Sequence, residues 1–199
     1  MTRFKLHLIT FTILLTFLLT NALLLTHALT FTPTSLIHDK LLAGEHSQML
    51  KFILTGRPGN LVQVLTPSEF SHIQDVQKIY MYLPFLVPLL IAITFVILKH
   101  KTREEKVQLI QFAQIDLIIL MVLSIPFFTI FFEYFHKLLF PQGNWAFPVD
   151  STLIRLYPED FWKTCLTIII ATTFIETGLL VQLLKRAKKS ATLPLPQSM

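Results

Sequence analysis

The chain has 199 residues, of which 53% are hydrophobic and 15% charged, with a formal net charge of +5 and a mean hydropathy of +0.60. The apolar residues come in long blocks and are not spread over amphipathic elements, which excludes an ordinary soluble domain and indicates an all-α integral membrane protein. Positive charges flank those blocks, as topology signals do, and no basic patch interleaved with aromatics points to nucleic acid.

Residues 1–30 open with Arg3 and Lys5 and continue as an apolar run to Leu29. The apolar region of a cleaved signal is roughly 7–15 residues, whereas this run can cross a bilayer. Thr26-His27-Ala28 is a weak cleavage site, so the segment reads as an uncleaved first span over about 7–30. Pro33-Thr34-Ser35 then breaks the helix, and Leu36 to Leu54 alternates polar and apolar residues at roughly helical spacing. Gly56-Arg57-Pro58-Gly59-Asn60 is a turn cluster, and Leu61–Leu65 reads as a short strand.

Thr66-Pro67-Ser68-Glu69 starts the next helix, with Thr66 as cap, Pro67 in first position and Glu69 completing a capping box. The helix runs into a second span at 79–98, where Pro84 and Pro88 predict a kink. A charged loop follows from Lys99. The third span covers 110–132, with Pro126 as a bend, and a second long connection, 133–160, follows it. Pro158-Glu159-Asp160 opens a fourth span at 161–184, closed by Lys185-Arg186-Ala187-Lys188-Lys189. The N-terminus, the 99–106 loop and the 185–189 cluster together hold ten of the seventeen Lys and Arg residues. The positive-inside rule therefore puts both termini and 99–109 in the cytoplasm. The long connections, 31–78 and 133–160, then form a small extracytoplasmic cap on a single membrane domain.

Several residues on that outer side carry chemistry. His72 and Asp75 fall on one helix face, either as a base with its orienting carboxylate or as a solvated juxtamembrane face. His136, where the third span emerges, sits at a similar depth, either sharing acid–base work, binding a metal with His72, or anchoring a helix end. Trp145 belongs to an interfacial loop. Arg155 either grips an anion or polarised carbonyl, or bridges to Glu159 or Asp150. Asp116 and Glu176 are acids inside the third and fourth spans, a functional hypothesis by default, and neither has an evident partner nearby except the basic 99–106 loop for Asp116. Cys165, the single cysteine, lies in an apolar block and reads as a packing residue, with no disulfide or cysteine-based metal site. No HExxH, GxSxG, Walker or GxGxxG motif occurs. No internal repeat suggests a transporter.

The order of these motifs resembles one family. Glu69, His72, Asp75 and Val76 enter the second span as E-x-x-H-x-x-D-V, and Phe135, His136 and Phe140 leave the third as F-H-x-x-x-F. Trp145 follows, and then Leu153, Ile154, Arg155, Tyr157, Pro158, Glu159, Phe161 and Trp162 open the fourth. This pattern, covering most of the chain, is similar to the bacterial lipoprotein intramolecular transacylases, with Tyr157 standing where Phe is expected. The resemblance implies a cofactor-free, metal-free membrane acyltransferase acting on a lipoprotein whose N-terminal cysteine bears S-linked diacylglycerol and a free α-amine. The sn-2 acyl chain moves to that amine, giving the N-acyl, S-monoacylglyceryl (lyso) form. The expected catalytic set is His72, His136, Asp75 and Arg155, with Glu69, Trp145 and Tyr157 binding substrate, and the partners are the diacylglyceryl lipoprotein and membrane lipid. His72, oriented by Asp75, would be the base, His136 the acid, or the reverse, and Arg155 would meet the oxyanion. A His-based or metal-dependent lipid hydrolase and a non-catalytic scaffold or sensor are the other readings.

Overall fold

The computed structural model describes residues 3–29 and 43–191. Residues 31–42 of the first outer connection and the tail from 192 lie outside the described residues, and so does the Pro33 break. Four long helices carry the architecture: α1 (Arg3–Leu29), α4 (Pro67–Lys99), α5 (Arg103–Ser124) and α8 (Glu159–Ala191). Each is long and apolar enough to cross a membrane, yet only 11–28% of its most hydropathic stretch is buried within the protein. The outward surface is therefore apolar, with Phe85 at 77% and Phe95 at 67% exposure, as lipid requires and water would penalise.

Helix α1 is the hub, packing against α4, α5 and α8, and α5 also packs on α8. Its Ile13 and Leu14 meet Leu109, Ala113 and Leu117 of α5 and Ile170 of α8 in one buried cluster. Threonines in these helices return their hydroxyls to the carbonyl four residues back, as Thr12, Thr20 and Thr167 do. Polar contacts cross between helices, among them Thr16 with Thr94 at 2.9 Å, Gln114 with Thr177 at 3.3 Å, and Asn21 with Thr173 at 3.1 Å and Glu176 at 2.8 Å. Glu176, partnerless in the sequence, is thus held by an asparagine 155 positions away. Asp116 makes no ion pair with the basic loop among the described residues. It is thirteen residues into α5, about 20 Å along the axis from its start. Replacing Asn21 with leucine is expected to cost about 1 kcal/mol, read as a lower melting temperature in detergent, because interhelical hydrogen bonds in membranes are individually modest.

The cap at one end of the bundle is built from both long connections, through α2 (Ala43–Thr55), α3 (Leu61–Val64), the first turns of α4 and α7 (Thr152–Leu156). Met49, Phe52, Leu61, Leu65, Ile73, Leu153 and Leu156 form its core. Leu61–Leu65 is therefore not a strand. Leu61 and Leu65 are both buried and four apart, and the Leu65 amide donates to the Leu61 carbonyl at 2.9 Å, so helical spacing serves the burial better than alternation. The third span is also shorter than its apolar run. Helix α5 stops at Ser124, Pro126 cannot continue the ladder, and the chain restarts as α6 (Phe128–Leu139). That restart aims His136 back toward the start of α4.

Candidate active site

His72 lies in the second turn of α4, and its placement depends on the cap of that helix. The Thr66 hydroxyl accepts from the Glu69 amide at 3.3 Å, and the Glu69 Oε2 accepts from the Thr66 amide and hydroxyl, both at 2.8 Å. The box expected from T-P-S-E is formed. Glu69 Oε1 also accepts from the Leu153 amide at 3.0 Å, tying the start of α4 to α7. With 1% exposure and its carboxylate engaged by Thr66 and Leu153, Glu69, expected to contact substrate, braces the two connections and is not among the residues lining the cavity beside the histidines.

His72 and His136 are both buried and face each other, with ring centroids 5.9 Å apart. Phe140 and Phe147 stand edge-on to His72 at 4.6 and 5.7 Å, and Phe132 and Trp145 flank His136 at 4.0 and 5.3 Å. His136 Nδ1 lies 2.7 Å from the Phe132 carbonyl. A carbonyl can only accept, so Nδ1 carries the hydrogen and Nε2 keeps its lone pair. Burial holds the His136 pKa below the ordinary 6.5, opposed only in part by that carbonyl. The His72 Nδ1 is buried without a hydrogen-bond partner among the described residues.

Asp75 does not orient His72 through a hydrogen bond. Its carboxylate accepts from Lys78 at 2.9 Å, from Gln142 at 2.8 Å and from Asn144 at 2.9 Å. Gln142 and Asn144 flank Gly143, whose φ of +79° is what a turn this tight demands. Asp75 thus clasps the 140–151 loop and so holds Trp145 and Phe147 over the histidines, a positioning role unlike the one expected.

A cavity of about 250 Å³ opens beside the two imidazoles, lined by His72, His136, Thr129, Phe132, Trp145, Phe147, Tyr157, Glu159 and Trp162, with Ile73, Leu153 and Ile154. Arg155 is exposed on α7 and does not line this cavity. Trp145, Trp162 and Tyr157, whose side chains carry hydrogen-bond donors, are among the residues that line it. Tyr157, expected to contact substrate, does line it, and its hydroxyl lies 3.2 Å from Nδ1 of His46. Burial raises the Tyr157 pKa and lowers that of His46, so both are neutral. Sequence reading missed His46, since no motif marks it and its partner is 111 residues away. Another cavity of about 250 Å³, between the end of α1 and α2, contains His46 but neither His72 nor His136. No group of three His, Cys, Asp or Glu among the described residues is close enough to hold a metal ion.

The family model for the lipoprotein intramolecular transacylase Lit matches residues 1–162. The fold is similar to the in meso structure of the membrane integral lipoprotein intramolecular transacylase Lit from Bacillus cereus, with a TM-score of 0.65 and 20% identity, covering 95% of this chain and all of that one. A histidine-to-arginine variant of that protein gives a TM-score of 0.64 at 18% identity, covering 94% of this chain and 95% of that one. An uncharacterized protein of Aquifex aeolicus is 28% identical over 123 residues, 60% of this chain. The matched segment spans 55% of the length of that relative. A multi-pass membrane protein with this fold and this match over most of its length belongs to the lipoprotein intramolecular transacylase Lit family.

Proposed function

We propose that the protein moves the sn-2 acyl chain of an S-diacylglyceryl cysteine to the α-amine of the same residue, on the outer face of the membrane. The observation that carries this reading is the pair of buried imidazoles, 5.9 Å apart, opening on an aromatic cavity at the cap end of the bundle. The basic 99–106 loop and 185–189 cluster lie at the other end, which favours a cytoplasmic placement for that end and for both termini.

The reaction needs one proton moved. The amine nitrogen attacks the ester carbonyl, the N–C bond forms, the C–O bond to glycerol breaks, and the amine's proton ends on the glycerol oxygen. His136 Nε2, with its lone pair free, takes that proton, and the imidazolium returns it to the leaving oxygen directly or through His72. Two imidazoles this close resist being charged together, so the pair carries one proton at a time. This gives His136 the role of base more naturally than His72. The ester and amine belong to one molecule, so the cavity mainly holds them in a cyclic near-attack geometry, and no covalent acyl-enzyme is required. Wall donors from Trp145, Trp162 or Tyr157 suit the tetrahedral oxyanion better than the exposed Arg155.

Expression in a host lacking lipoprotein N-acylation tests the reading, with the N-terminal peptide of a lipoprotein examined by mass spectrometry. The N-acyl, S-monoacylglyceryl form is expected, and persistence of the free-amine diacylglyceryl form sinks the proposal. Free fatty acid with an unacylated amine would instead identify a hydrolase.

The histidine pKa supplies a second expectation. Burial depresses His136, so its neutral form persists below pH 6.5 and is lost only as pH falls further. Linkage has the matching sign: the unfolded chain protonates first, so this residue's contribution to stability is present above 6.5 and declines as pH falls. A ring-15N histidine titration, assigned with His136→Gln, should place the His136 midpoint below 6.5. A midpoint at or above 6.5 contradicts the neutral-base role.

A further inference from the structure

The cavity is walled mainly by aromatic rings and two buried imidazoles, and its lining includes one formally charged side chain, Glu159. Glu159 heads α8, where the helix dipole favours an anion. Its partners among the described residues both fall on one oxygen: Thr129 Oγ1 at 3.1 Å and Lys163 Nζ at 2.8 Å each approach Oε1. No contact among the described residues engages Oε2. Glu159 is half-exposed and shares the cavity lining with Phe132, Tyr157 and Trp162, the ring centroids of Phe132 and Tyr157 lying 6.5 and 5.8 Å from that of Trp162. A carboxylate with an open oxygen in a cavity lined by aromatic rings is the chemistry that recognises a cationic ammonium, through a charge-assisted hydrogen bond and ring quadrupoles.

We infer that Glu159 is the docking group for the primary ammonium of the substrate, a specificity-determining residue. The inference rests on the function proposed above. An α-amine with a pKa near ~8 is mostly protonated at neutral pH. Buried neutral imidazoles carry no charge to hold a cation, whereas a carboxylate at the head of α8 does. The docked ammonium gives its extra proton to solvent at the half-exposed Glu159, and the neutral amine then attacks with the single proton transfer described above. Glu159 selects a free amine over an acylated one. Product leaves because acylation removes the charge that held it. Lys163 competes for the same carboxylate, so the pair tunes affinity and does not merely brace the helix.

Binding to the full-length protein in nanodiscs at pH 7 tests this, using a cysteinyl peptide bearing an S-linked dialkyl-ether glycerol, which cannot transfer an acyl group. The wild type should bind the free-amine peptide about tenfold more tightly than its N-acetylated counterpart, the scale of a charge-assisted hydrogen bond. Glu159→Gln should abolish the preference, and Lys163→Met should widen it. Similar N-acetyl peptide affinities across the three proteins control for folding. A wild type without preference, a Glu159→Gln that keeps it, or a Lys163→Met that narrows it overturns the inference. Conversion of the diester peptide is measured alongside. Activity without amine preference rejects the ammonium site alone. Preference without activity upholds it and rejects the transacylase reading.

Discussion

Replacing His136 by alanine is expected to lower lyso-lipoprotein formation by about 10²- to 10⁴-fold, the usual worth of a positioned acid–base group. His72→Ala should fall in the same range, and the double variant should be little worse than either, since residues that pass one proton act as a unit. Packing is the competing explanation, because both rings are buried and His72 touches Phe140 and Phe147. His136→Asn separates the two. An asparagine amide can still donate to the Phe132 carbonyl that now holds Nδ1 at 2.7 Å, but it offers no base where Nε2 stood. This variant should melt close to the wild type and be as inactive as the alanine. A folded His136→Asn that still makes the lyso form at wild-type levels would remove His136 from the chemistry.

That experiment depends on geometry only half of which was visible in the sequence. The spans were legible because lipid imposes length and apolarity on each segment separately. The Thr66–Glu69 box was legible because all its partners lie within four residues. Contacts across the fold were not. Glu69 looked available for substrate because nothing local reveals that its second oxygen meets an amide 84 positions on. Asp75 looked like the partner of His72 because helical spacing puts them on one face. Gln142 and Asn144, 67 and 69 positions away, in fact take the carboxylate. Arg155 had the right charge for an oxyanion, but its direction on a five-residue helix is set by burial of Leu153 and Leu156, which turns it outward. Leu61–Leu65 shows the same limit on a small scale: it reads as a short strand in the sequence, and the cap core buries its i, i+4 face.

The brace at Glu69 is where that long-range information is concentrated, and removing it has the largest expected effect on stability. Glu69→Ala leaves the Thr66 and Leu153 amides and the Thr66 hydroxyl without the carboxylate that accepts from all three. Hydrogen bonds to a charged acceptor are individually worth about 1.5–3 kcal/mol, and orphaned buried donors add a desolvation cost. Contacts on one carboxylate are not additive, so a total of about 3–5 kcal/mol is expected, within the range reserved for broken buried networks. For a chain of this size that is a fall of roughly 6–20 °C in melting temperature, followed by the fluorescence of Trp145 and Trp162. Glu69→Gln should fare little better, because its amide nitrogen turns a donor toward backbone N–H groups that need an acceptor. Activity should fall as well at temperatures where the protein remains folded. His72 is three residues beyond Glu69 on α4, and Leu153 lines the cavity, so a loosened brace lets both walls of the site drift. A Glu69→Ala protein that melts within a degree or two of the wild type would mean the two connections are held together by the apolar cap core alone.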